Sequence, residues 1–62
     1  MTAIENALQR ILDDGFPAII VDAPKDAIRF DKFLVVYSDE TKKTIRQVHF
    51  YSTKENKFIG SV

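Results

Sequence analysis

Ile28-Arg29-Phe30-Asp31-Lys32-Phe33-Leu34-Val35-Val36-Tyr37 is the longest run rich in β-branched and aromatic residues in the chain. Such a run fits a pleated, half-buried surface and predicts a central strand. Turn-forming residues flank it, Asp22 to Asp26 before and Ser38 to Lys43 after, and beyond each turn lies another short apolar segment able to pair with it. Within the run, apolar residues alternate at Ile28 and Phe30 and become continuous from Phe33 to Tyr37, so the period breaks at Asp31-Lys32. A bulge at that point, which bends the strand and changes which side chains face inward, is the preferred reading. The other is a loop over residues 29–32 with the strand starting at Phe33.

Upstream, Thr2 and Glu5 have the spacing of a capping box, in which the Thr2 hydroxyl caps the first turn and Glu5 returns a bond to the Thr2 amide. Ile4, Ala7, Leu8, Ile11 and Leu12 then recur as one apolar helical stripe. Gly15 supplies a left-handed C-terminal cap and Pro17 blocks a restart, so the helix is predicted to end near Asp14. A helix of ~12 residues is marginal alone in water, so its stripe must pack on a sheet. The first strand is predicted at Ala18 to Asp22, with Pro17 at its start. A turn over Ala23-Pro24-Lys25-Asp26, with Pro24 second, sets Val21 opposite Ile28 and Ile19 opposite Phe30.

Downstream, the polar stretch Ser38 to Lys43 leads into a third strand, Thr44 to Ser52, with Val48 and Phe50 turned toward the helix and His49 away from it. A hairpin at Lys54-Glu55-Asn56, with Asn56 left-handed, leads into a fourth strand, Phe58 to Val62. In that register Val48 faces Val62, Phe50 faces Gly60 and Ser52 faces Phe58. The predicted fold is α+β: a single domain, 1–62, with one N-terminal helix packed on a four-stranded antiparallel β-meander.

Sixty-two residues bury only about 60% of the surface their unfolded chain exposes, so the stability margin is thin. Short chains gain stability from disulfides, metals or partner subunits, and with no Cys and one His association is the route left open. The 45% apolar and 29% charged content is that of an ordinary globular domain. The lack of Cys fits a reducing compartment, and Met1 to Asn6 has neither the basic region nor the apolar core of a signal peptide; a cytoplasmic location with no membrane span is expected. Net charge is zero, which supplies no general attraction to polyanions. Its distribution is uneven: residues 1–37 hold six acids and four bases, and residues 38–62 three acids and five bases.

His49 is the only histidine, and no spacing sets a nucleophile beside it, so no enzyme is expected. Asp13, Asp14, Asp22, Asp26 and Asp31 follow no metal-ligand loop and belong to the helix end, the turn and the strand break; no metal or cofactor is expected. Seven aromatic residues exceed what one face of a small sheet hides. Phe33, Tyr37 and Tyr51, with Ile45 and Ile59, take the parity opposite to Val48 and Phe50 and form an apolar patch of the kind enriched at interfaces.

The chain is therefore predicted to be a small non-enzymatic interaction protein of the accessory regulator or inhibitor type. It associates with itself as a homodimer or larger and with another protein, through its exposed sheet face or an edge strand. Arg29, Phe33, Tyr37, Arg46, His49, Tyr51 and Ile59 are predicted to line the contact. Two other readings use the same sheet: a nucleic-acid-binding module, with Arg29, Lys32 and Arg46 on phosphates and His49 and Tyr51 beside bases, and an oligomer that holds a small anion between subunits through Arg29, Lys32 or Arg46.

Overall fold

A computed structural model describes residues 2–62. It contains helix α1 (Ala3–Asp13) and strands β1 (Ala18–Asp22), β2 (Lys32–Tyr37), β3 (Ile45–Ser52) and β4 (Lys57–Ser61). The strands form one antiparallel sheet in the order β1-β2-β3-β4 with α1 on one side, the α+β meander that the sequence predicts.

α1 begins where Thr2 leaves the extended region and its hydroxyl oxygen accepts the Glu5 N–H at 3.3 Å. The return contact differs from the expected capping box: the Thr2 hydroxyl donates to Glu5 Oε1 at 2.9 Å, so Glu5 engages the side chain and not the amide. At the other end Gly15 adopts φ +94. Its N–H donates to the Leu12 carbonyl at 3.0 Å and the Phe16 N–H reaches back to the Ile11 carbonyl at 3.2 Å, the paired bonds of a Schellman cap.

The core lies between α1 and the sheet, where Ile4, Leu34 and Tyr51 are buried and Ala3, Ala7, Leu8, Ile11, Ala18 and Ile20 pack around them. Three alanines in this set let the helix approach the strands closely. Tyr51 tolerates burial because its hydroxyl is bonded to Asn56 Oδ1, which satisfies the one polar atom it carries inside.

This core corrects the expected parity of β3. Phe33 pairs directly with Phe50, Leu34 with His49 and Lys32 with Tyr51, so Leu34, His49 and Tyr51 share the helix side while Val48 and Phe50 take the other. The physical reason is the company the phenylalanines keep. Phe30 stacks on Phe50 (5.0 Å between centroids) and tilts against Phe33 (5.2 Å), so three rings shelter one another on the side without a helix.

The segment between β1 and β2 also departs from expectation. Val21 lies opposite Phe33 and Ile19 opposite Val35, not opposite Ile28 and Phe30. Residues 23–31 form a loop, so the preferred bulge at Asp31-Lys32 is absent and the loop reading is nearer, with the strand starting at Lys32 and not at Phe33. Its turn is closed by the Ala27 N–H on the Pro24 carbonyl at 3.0 Å, which makes Pro24 the first turn residue, not the second. Just before β2, Asp31 keeps main-chain bonds to both flanking segments and adds a side-chain clamp. Its N–H donates to the Tyr51 carbonyl at 3.0 Å, its carbonyl accepts from Ala23 at 2.9 Å, and its carboxylate accepts the Thr53 N–H at 2.9 Å and the Thr53 hydroxyl.

Two register shifts occur elsewhere, between Val36 and Tyr37 in the β2/β3 pairing and between Phe50 and Tyr51 in the β3/β4 pairing. The first leaves Arg46 as the extra residue and the second leaves Ile59. The expected pairs Phe50 with Gly60 and Val48 with Val62 are present. Past the Ile59 bulge, however, Phe58 lies opposite Tyr51, and Ser52 opposite Lys57. Asn56 is left-handed as expected, at φ 52, but the turn is one residue longer, Thr53 to Asn56 between the paired Ser52 and Lys57.

Candidate functional site

The helix-free face carries two cross-strand rows: Ile19, Val35 and Val48 in one, and Val21, Phe33, Phe50 and Gly60 in the other. Neither row contains a polar side chain. Val35 is buried by its neighbours, and the other large side chains of the rows are half-buried, shielded laterally and open above. Phe30 covers only the end of the face near the 23–31 loop. Beside it an open crevice of about 450 Å³ is lined by Ile28, Arg29, Phe30, Phe50 and Ile59, among others. Ile28 at the rim is 96% exposed, the extreme among the large apolar residues.

The molecule is a slab, 31 × 24 × 15 Å along its principal axes. Its accessible surface is 4548 Å², against about 4,100 Å² expected for a folded chain of this mass. The excess follows from having one helix for two sheet faces.

The residues predicted to line a single contact surface divide between the two sides. Phe33 and Ile59 belong to the helix-free side, with Arg29 on the adjacent loop. Tyr37 ends β2 opposite Ile45. Arg46 is exposed at the bulge and lies over the Phe16 ring, 4.5 Å from its centroid. His49 faces the helix side, edge-on to Phe58 at 5.9 Å, at a crevice it shares with Ala7, Ile11, Leu34 and Phe58; the expectation that it points away from the helix is corrected. Tyr51, 1% exposed, is core and has no surface to offer a partner.

Sequence reasoning missed Phe30 as the ring that closes over Phe33 and Phe50, and missed Ile19, Val21, Val35 and Val48 as the bulk of the bare face. The near-continuous apolar run of β2 was the available signal, because a strand covered on both faces reads that way.

Lys32 and Arg46 do not converge. They lie near opposite ends of the β2/β3 ladder, and Lys32 is bonded to Asp22, whose hydrogen bond and charge raise the lysine pKa. The Thr53 hydroxyl and amide hold the Asp31 carboxyl below the usual carboxylate range, an effect of a structural clamp. Among the described residues no group of three His, Cys, Asp or Glu side chains is placed to hold a metal ion, and no helix is long and apolar enough to cross a membrane. Comparison of the chain with family models, curated proteins and solved structures returned no match.

Proposed function

We propose that the chain is a small non-enzymatic interaction protein that assembles with copies of itself by stacking helix-free sheet faces, and that the assembly engages a partner protein through what stays exposed, the Ile28 loop foremost. The observation that carries this reading is the pair of uncharged rows across all four strands, open above. A contiguous apolar face of this extent on a soluble protein marks an interaction surface. A second copy suits it on three grounds. The face is uncharged, so stacking it on itself sets no like charges together. The face lies within the molecule's largest outline, 31 × 24 Å, which is of the order of the ~800 Å² per partner that a stable dimer buries. Two such sheets packed ~10 Å apart form an ordinary sandwich core, which supplies the second hydrophobic layer that 62 residues cannot supply alone.

Val48→Asp tests it. Val48 sits between Val35 and the C-terminal Val62 and makes no contact with the helix-side core, so the substitution charges the face and leaves α1 seated. The variant is expected to keep its helical circular dichroism and to lose association, with wild-type association unweakened by added salt. Association unchanged by Val48→Asp would overturn the reading, and association that falls steeply with salt would favour an electrostatic partner such as nucleic acid.

A further inference from the structure

β1 is an edge strand of the sheet, with β2 on one side and no strand on the other. In an antiparallel ladder, residues bonded to the neighbouring strand alternate with residues whose N–H and C=O point away from it. The Tyr37 N–H donates to the Pro17 carbonyl at 2.8 Å and the Ala23 N–H to the Asp31 carbonyl at 2.9 Å. With Ile19 opposite Val35 and Val21 opposite Phe33, this assigns Pro17, Ile19, Val21 and Ala23 to the inner side. Ala18, Ile20 and Asp22 are left pointing three N–H and three C=O groups outward, with no hydrogen-bond partner among the described residues.

Natural edge strands are guarded by lysine, proline, a bulge or a cover. β4 has Lys57 and the Ile59 bulge. β1 has neither, and the N–H missing from Pro17 is on the inner side, where it guards nothing. The helix adds a second observation. Ala7 and Ile11 border the crevice that His49 and Phe58 share, so that flank of the stripe faces β3 and β4. Leu8 and Leu12 occupy the opposite flank by helical geometry, toward β1, and Leu12 is 45% exposed.

We infer that β1 pairs antiparallel with β1 of a second copy across a two-fold axis at Ile20. Ile20 then lies opposite Ile20, and Ala18 opposite Asp22, so all six outward groups of each strand bond to the other. The two Asp22 carboxylates face alanines, each beside its own Lys32, and no like charges meet. Ile19 falls opposite Val21 on the helix-free side, and the bare face becomes continuous over eight strands. On the helix side the second copy arrives beside the Leu8 and Leu12 flank. This contact goes beyond the stacked faces and stands without them.

Amide hydrogen exchange on the unmodified chain tests it. The Ala18, Ile20 and Asp22 amides are expected to exchange at least roughly a hundredfold slower than free amides, and to lose that protection on dilution while Ile19 and Val21 keep theirs. Free exchange at Ala18, Ile20 and Asp22 at every concentration, beside protected Ile19 and Val21, would overturn the pairing. Sedimentation of synthetic chains gives the second reading. With both contacts present the mass is four times 7.1 kDa; N-methylation of Ile20, which removes one outward donor and keeps the side chain, halves it, as Val48→Asp does alone, and the two together give monomer. Asp22→Pro, at another outward N–H on an exposed residue, repeats the test. Masses unmoved by both edge changes would sink the edge contact and leave the face contact standing; masses unmoved by Val48→Asp alone would do the reverse.

Discussion

Asp31 shows how one residue joins segments distant in the chain. Its main chain bonds to Tyr51 and Ala23 and its carboxylate bonds to Thr53, so it ties the β1/β2 loop to the start of the β3/β4 turn. Because the bonds from Thr53 depress its pKa, the clamp contributes stability at neutral pH and loses it as pH falls through the depressed value. Asp31→Asn is therefore expected to lower the urea midpoint at pH 7, and the gap to wild type is expected to begin closing below about pH 4, the ordinary carboxylate value, and to vanish only beneath the depressed one. A gap of constant size from pH 7 to 2.5 would refute the clamp. Tyr51 shows the other residue-scale device, a polar atom carried into the core and satisfied there by Asn56. Tyr51→Phe leaves Asn56 near the surface and is expected to cost about 0.5–1.5 kcal/mol in denaturant melts. Tyr51→Asp is expected to abolish the fold, not merely association, because the residue is 1% exposed. The alternation break at Asp31-Lys32 was legible in the sequence. That Asp31 reaches Thr53, 22 residues on, was not, since nothing local marks the partner of a long-range bond.

At the scale of elements, α1 and β1 were readable because their signals are local. Thr2, the apolar stripe and Gly15 fix the helix, and Pro17 with a β-branched run fixes the strand. Gly15→Ala has open space around the new methyl but must hold φ +94, so it is expected to cost about 1 kcal/mol. Gly60→Ala, whose methyl meets the Phe50 ring at an ordinary 3.9 Å, is expected to be close to neutral, and thermal melts of the pair separate conformational strain from crowding. Ile4→Ala removes a core residue that is 5% exposed and is expected to cost about 2–5 kcal/mol, most of what a chain this short has to lose. The facing of β3 was not legible. Val48-His49-Phe50-Tyr51 offers two good apolar pairs of opposite parity, and a one-residue slip exchanges them. The choice was made by three phenyl rings from separate segments clustering on one face and by Asn56 accepting the buried tyrosine hydroxyl, neither of which lies within the strand. The Ile59 bulge has the same origin, because it lets Phe58 lie edge-on to Tyr51 at 4.9 Å.

At the scale of the whole molecule, one helix and four strands leave an apolar layer unmatched. A thin slab with more surface than its mass calls for would reach an ordinary core if a second sheet closed on it, and in the proposed assembly the bare face and the open β1 edge both take another copy. The melting temperature is accordingly expected to rise with protein concentration, because a state that only folded chains form stabilises folding by mass action. The most direct test is the mass in solution, by light scattering from dilute to concentrated protein at low and high salt. A multiple of 7.1 kDa that dissociates only on dilution and is indifferent to salt is the predicted result. A scattering mass of 7.1 kDa at every concentration would contradict it.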